Sequence, residues 1–327
     1  MPDAERATYR EGELPSYAIV SPVRDEADGL PRTAASLLAQ THRPAQWVLV
    51  DDGSTDGTLA IAQALAAQHD WISVVRTDGV HRRSRGAAIV RAFDTGRARL
   101  TVRPEVTVKL DCDLFVPAHY FAWVCATFAR DPAAGVVGGV MLVPGGGGWR
   151  PDGAPHHVGG PMKAYRTRCL DDIGGLRASM GWDGVDEYAA TARGWRVHVL
   201  TELSVLHYKP RGSKQPWYQA RWEEGRGNAY MGYLPSFLLL RAMFRMAFES
   251  PPLVGGLVLA AGFVHARLSG AAQVDDELAV AALRAEQRAR MRALLRGRRH
   301  VVAGGLPAGG PAFWFPADPP GPKEPAP

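Results

Sequence analysis

The stretch VKLDCDLFV, Val108 to Val116, decides how the chain is read. It has the form of a buried strand, yet it ends in two aspartates, Asp111 and Asp113, one residue apart. Carboxylates at a strand end are costly to bury unless something positive meets them. A metal ion or a basic side chain would do, so the stretch points to a ligand site as well as to a strand.

Upstream of it, short apolar runs alternate with helical patterns. YAIVSPV (Tyr17 to Val23), QWVLVDD, WISVVRT and VTVKLDCD read as strands, with LPRTAASLLAQ, GTLAIAQALAAQHD and GAAIVRAFDTGRARL as the helices between them. Continuous apolar runs joined by helices indicate an α/β fold with a mostly parallel central sheet covered on both faces. Right-handed crossovers then bring the C-terminal ends of the strands to one edge, where such folds put ligands. The polar signals fall on that edge: PVRDEAD, DDGSTDGT, DGVHRRSRG and DCD follow the four strands in turn.

Composition is that of a globular protein able to bury a sizeable core, with 46% hydrophobic and 22% charged residues in 327. The formal charge of +5 is concentrated near RAEQRARMRALLRGRRH, Arg284 to His300, which suits an anionic surface and gives no particular reason to expect nucleic acid. Cys112, Cys125 and Cys169 have no metal-ligand spacing and read as reduced thiols of a cytosolic chain. The polar N-terminus has no apolar core, so neither a secretory signal nor an anchor is expected there.

Each edge motif carries a chemical possibility. In DDGSTDGT, Gly53 permits a tight turn, Ser54, Thr55 or Asp56 can cap the next helix, and Asp51 or Asp52 can accept hydrogen bonds from a nucleobase or ribose. Asp111 and Asp113 offer hard oxygen ligands for Mg2+ or Mn2+ shared with substrate phosphates. HRRSRG puts arginines, Arg85 among them, just before a helix opening at Gly86, an arrangement that favours phosphate.

Together these motifs resemble the family 2 glycosyltransferases over about residues 17–206. GGPMKAYRTRCLDDIGGL, GWDGVDEYAATARGWRV, LHYKPRG and GRGNAYMGYLP look like bacterial exopolysaccharide or lipid-linked-saccharide members and extend the likeness to about residue 300. The resemblance implies a Rossmann-like nucleotide-diphospho-sugar transferase fold of the GT-A type. Its activity would be inverting transfer from a nucleoside-diphosphate sugar, with a lean to uridine, onto a saccharide or lipid-linked acceptor.

Pro22, Arg24 and Glu26 would border the nucleotide, Asp52 would read the base, and Asp111 and Asp113 would hold the cation and diphosphate. His207 would add a metal or diphosphate contact, followed by Lys209 and Arg211. Counted back from Gly194, Trp182-Asp183 takes the place of a Glu-Asp pair whose second member is the general base; Trp182 departs from that pattern, leaving Asp186 and Glu187 as rival bases. Gln219, Arg221 and Trp222 resemble the Q-x-x-R-W of processive synthases, but the spacing is one residue short and processivity is not implied. A sugar-nucleotide nucleotidyltransferase would need a glycine-rich phosphate loop after the first strand, which PVRDEAD is not; a non-catalytic nucleotide-sugar or membrane-binding module would have no use for both Asp113 and an acid at the base position.

The expected organisation is a flexible segment over 1–15, a catalytic unit over 16–228, an apolar and basic helical extension over 229–302 and a disordered Gly/Pro-rich tail over 303–327. VPGGGGWRPDGAPHHVGG, Val143 to Gly160, reads as a long loop, either an active-site lid or a disordered insertion. The apolar run between Glu249 and Arg267 is just short of a membrane span, and Gly255, Gly256 and Gly262 should weaken it as a helix. The extension can pack on the catalytic unit, dock on a membrane or span it, and docking on the inner membrane face of a cytoplasmic enzyme is the expectation.

Overall fold

A computed structural model describes residues 14–77, 86–145, 148–154, 156–209, 216–248 and 252–296. The expected strands and crossover helices form in order: β1 (Tyr17–Val23), α1 (Leu30–Leu38), β2 (Gln46–Asp51), α2 (Thr58–Gln68), β3 (Ile72–Arg76), α3 (Ala87–Arg97) and β4 (Val106–Leu110). These strands pair in parallel in the order β3-β2-β1-β4. All residues of β2 and β4 are buried, as continuous apolar strands covered on both faces should be.

Beyond β4 the sheet becomes mixed. The elements are β5 (Leu114–Phe115), α4 (Tyr120–Arg130), β6 (Ala134–Gly145), β7 (Gly148–Asp152), β8 (Met162–Arg166), α5 (Thr167–Asp172), α6 (Trp182–Ala192) and β9 (Arg196–His207). β8 runs antiparallel to both β4 and β6, while β9 lies parallel to β6 and closes on β5. β8 enters the sheet from a hairpin rather than from a helical crossover, so nothing forces it parallel. That hairpin also corrects the lid-loop expectation. Residues 141–145 of β6 pair antiparallel with residues 148–152 of β7, so most of the glycine-rich stretch is sheet; Gly146 and Gly147 lie outside the described residues.

Four helices follow: α7 (Trp217–Tyr230), α8 (Pro235–Phe248), α9 (Val254–Leu268) and α10 (Glu277–Leu295). α9 is a continuous helix despite its glycines, and two of them are where it meets its neighbours. A Cβ on Gly262 would lie 2.3 Å from the Trp222 carbonyl of α7, and one on Gly256 would lie 2.3 Å from the Ala242 carbonyl of α8. Leu238, Ala242, Leu259, Phe263 and Ala266 make a small core between these helices. Among the described residues no helix is long and apolar enough to cross a membrane. α10 begins at Asp276, whose carboxylate accepts the Ala279 N–H at 3.0 Å, and packs on α6. The expected tail over 303–327 and the segment over 1–13 lie outside the described residues.

Candidate active site

The loops after β1 and β2 are tied together at the sheet edge. Asp25 accepts the Thr55 N–H at 2.8 Å, while Ser54 and Thr58 hydroxyls accept the backbone N–H groups of Asp25 and Glu26 at 3.1 and 2.8 Å. Asp56 accepts from Ala27 at 3.1 Å. The DDGSTDGT turn is therefore built to receive PVRDEAD, and its capping residues serve both loops. Gly53 sits at φ 73°, a left-handed conformation that glycine adopts without strain.

Asp51 is fully buried and turns back onto the Ser54 N–H at 3.3 Å, so it braces the turn. Asp52 points across the edge, accepting the Thr77 hydroxyl at 2.6 Å with the Arg24 guanidinium 3.9 Å from its other oxygen. Pro22 lies inside β1 opposite Val50 and reaches the edge only through the residues that follow it.

The same loop carries the edge to β4. A Cβ on Gly29 would lie 2.6 Å from the Cys112 carbonyl and 3.1 Å from the Asp113 Cα, so the chain passes directly behind D-x-D. Glu26 accepts from Lys209, which follows β9. Asp113 faces His207, the last residue of β9, with Nε2 to Oδ2 at 3.3 Å. Burial alone would raise the Asp113 carboxyl, but the hydrogen bond from His207 and the positive charges around it hold it below the ordinary carboxylate range. Asp113 Oδ1 and His207 Nδ1 are buried without a hydrogen-bond partner among the described residues.

These two side chains fit a divalent cation. Asp113 Oδ2 and His207 Nε2, 3.3 Å apart, have the separation of two adjacent ligands on one ion and would form one side of its coordination sphere. Among the described residues no three His, Cys, Asp or Glu side chains converge on one point, so donor phosphate oxygens and water would have to supply the rest. Asp111 is held differently: Lys109 Nζ donates to its Oδ1 at 2.5 Å and to the Gly160 carbonyl at 2.9 Å.

Lys109 and Lys163 were not singled out in the sequence, yet they organise this half of the site. They are direct cross-strand partners on β4 and β8, both buried, with ammonium groups 5.3 and 5.9 Å from the Trp182 ring. Like charges opposite each other repel, so each must be neutralised by an acid. Lys109 has Asp111, and Lys163 has Asp186 and Glu187 of α6 at 2.9 and 2.8 Å.

Lys163 also donates to the Asp183 main-chain carbonyl at 2.5 Å, fixing the first turn of α6. The Asp183 carboxylate lies against the chain at Gly160, where an added Cβ would lie 2.8 Å from Oδ2. Gly160 is the residue whose carbonyl Lys109 binds, so Asp183 and Asp111 flank one short piece of chain.

The rival acids are placed otherwise. Asp186 is 3% exposed and takes Lys163 on both oxygens and the Tyr165 hydroxyl; burial outweighs Lys163 and pushes its carboxyl up to about 6. Glu187 is 4% exposed and binds Lys163, the Val158 N–H at 3.0 Å and His157 Nδ1 at 2.6 Å. Both carboxylates face inward from α6, whereas Asp183 faces the edge.

His157 is a further residue the sequence reading passed over, though HH between glycines in GAPHHVGG was visible. Burial would lower its imidazole, but the Glu187 charge and hydrogen bond outweigh that and raise it above the model-peptide 6.5. A raised folded-state value adds stability that is complete below pH 6.5 and lost as pH rises through the folded value. His157→Gln should therefore cost about 1.5–3 kcal/mol at pH 5.5 and progressively less through pH 8, read by thermal unfolding of both proteins across that range.

Gly86 opens α3, but its Cα faces the Ser179 carbonyl, which an added Cβ would approach to 2.2 Å. Its position is thus explained by packing against the chain leading into α6. Arg85 and Arg211 lie outside the described residues.

The glycosyl transferase family 2 model matches residues 18–176. No curated protein matches the chain in sequence. Among solved structures, the chain is similar to a mannosyltransferase from Pyrobaculum calidifontis in complex with GDP-Man and Mn2+, with a TM-score of 0.53 and 19% identity, over 88% of this chain and 81% of that one. It is also similar to residues 1–349 of TarS from S. aureus in complex with UDP, at 0.51 and 15%, over 89% and 95%. A third similar structure is GalNAc-T7 with UDP, GalNAc and Mn2+, at 0.54 and 14%, over 80% and 56%. At these identities the structures establish a shared GT-A fold. With the family model matching β1 through α5 and the acidic strand ends gathered on one edge, the chain carries a glycosyl transferase family 2 domain and is a glycosyltransferase.

Proposed function

We propose that the enzyme transfers a sugar with inversion from a nucleoside-diphosphate donor, a UDP-sugar by preference, to a hydroxyl of a saccharide or lipid-linked acceptor. The observation that carries this reading is the succession along one edge of Asp52, Asp113 with His207, Asp111 and Asp183, each tied to the next through shared chain or partners. Asp52, its second oxygen near Arg24, accepts from the nucleobase, and Arg24 and Glu26 border the nucleotide. Asp113 and His207 hold Mg2+ or Mn2+, and Asp111 and Lys209 lie beside the diphosphate. Bound there, the cation would stabilise negative charge on the departing diphosphate.

Asp183 is the base. The acceptor oxygen bonds to the anomeric carbon as that carbon's bond to the diphosphate oxygen breaks with its electron pair, and the acceptor proton passes to the Asp183 carboxylate. Base and leaving group must lie on opposite faces of the sugar, as in inverting glycoside hydrolysis. Asp186 is not assigned this role, because its proton would have to enter a sealed ion pair. The β6–β7 hairpin borders the site through Trp149, which meets the Tyr208 ring edge-on at 5.4 Å beside His207. The enzyme's setting in this reading is the cytoplasm, at the inner face of the cell membrane, in cell-surface or exopolysaccharide synthesis.

The test is a panel of nucleotide sugars assayed for Mn2+-dependent donor hydrolysis, which requires no known acceptor. One or a few donors should be turned over slowly. Asp113→Ala should abolish the metal-dependent part of nucleoside-diphosphate binding in calorimetry. Wild-type binding that chelator leaves unchanged would remove the cation from the reading.

A further inference from the structure

The outward face of the C-terminal helices reverses the usual amphipathic pattern. Along α9 the solvent-facing row is Val254, Leu257, Ala261, Val264 and Leu268, without a charged residue. Leu257, Val264 and Leu268 are 59, 50 and 84% exposed. α8, packed beside it, continues the surface with Leu239, Met243, Phe244 and Phe248, the last 75% exposed. A helix pair facing water would put its polar residues here; this pair buries Leu238, Leu259 and Phe263 together with its small residues and presents a second set of large apolar side chains outward.

The charges carried by α8 and α9 themselves are basic. From Ser236 to Leu268 the sequence has three arginines and one acid, Glu249. Arg241 and Arg245 are drawn inward to Glu224 at 2.8 and 2.7 Å, which leaves Arg267 at the exposed end of α9. α10, in contact with α8, adds Arg288, Arg292 and Arg296 as an exposed row at four-residue spacing, none ion-paired with a described residue.

A second copy of the chain would be a poor cover. Two-fold pairing sets the same patch against itself and brings no acid to its arginines, because α8 and α9 contain none. A bilayer surface bearing anionic headgroups satisfies both features, taking the apolar row at acyl depth and the arginines at headgroup level.

We propose that the α8–α9 face, with Arg267 and the α10 arginine row, docks the enzyme on an anionic lipid surface. The proposal goes beyond the transfer reaction and does not depend on it. The full chain is sedimented with vesicles of phosphatidylcholine alone or with about one-third phosphatidylglycerol, at low and high salt. Strong partitioning is expected only onto the anionic vesicles, weakening as salt rises. Leu257→Glu with Val264→Glu should weaken it about tenfold or more, and Arg288→Glu with Arg292→Glu should remove most of its salt sensitivity. Both variants change exposed residues remote from the site, so their donor hydrolysis should match wild type and report intact folding. Partitioning that ignores lipid charge or is equal in the Leu257/Val264 variant would overturn the proposal. So would a wild-type dimer that this variant converts to monomer.

Discussion

Asp183→Asn should lower the transfer rate about 100- to 10,000-fold, or roughly 3 to 5 kcal/mol of transition-state stabilisation, while nucleoside-diphosphate affinity and the melting temperature stay close to wild type. Asparagine keeps the size of the side chain and its packing against Gly160 but cannot take the acceptor proton. The separation of effects follows from the placement of the three acids on α6. Asp183 is half-buried at the first turn with its carboxylate on the edge, while Asp186 and Glu187 are inside with every oxygen engaged. The companion Asp186→Asn should show the reverse pattern, a lower melting temperature with residual activity per folded molecule. If Asp183→Asn transfers sugar at the wild-type rate, the base is elsewhere.

The contrast shows what the sequence could and could not disclose. Four parallel strands were readable because each is a continuous apolar run with its own crossover helix, and the acidic strand ends were readable because handedness sends them to one edge. The strand β6 was not: it carries Gly135, Gly138 and Gly139 and runs into a glycine-rich turn, so its signals are those of a loop. Within the site, the choice among Asp183, Asp186 and Glu187 could not be made from helical spacing. The proposed assignment turns on Lys163, 20 residues before Asp183 and on β8, whose charge draws Asp186 and Glu187 inward. A lysine inside each of the apolar runs VKLD and MKAY was the available signal, since a buried ammonium must have an acid partner.

Lys163→Met should destabilise the protein by about 3 to 5 kcal/mol at pH 7.5, a large part of the roughly 5 to 15 kcal/mol that holds a typical domain together. Methionine fills much of the same volume, so the cost arises from the charges left behind. Asp186 would keep only the Tyr165 hydroxyl and the Glu187 backbone N–H, and Glu187 only His157 and the Val158 N–H. The pH dependence distinguishes this from a packing defect. Burial already pushes Asp186 up to about 6 with Lys163 present, and without Lys163 it rises further above its unfolded 3.8; Glu187, which burial would raise but Lys163 and His157 hold below its unfolded 4.5, moves up as well. Groups whose folded-state values are raised favour the folded state more as they take up protons, so the deficit should shrink from pH 7.5 toward pH 5, opposite in direction to the His157→Gln deficit. Adding Asp186→Asn to Lys163→Met should recover part of the loss, because one of the two stranded charges is then gone. Denaturant unfolding of the single and double variants at both pH values measures all three effects. A deficit that is independent of pH and unrelieved by Asp186→Asn would mean that Lys163 acts by filling space and not by compensating the acids beneath Asp183.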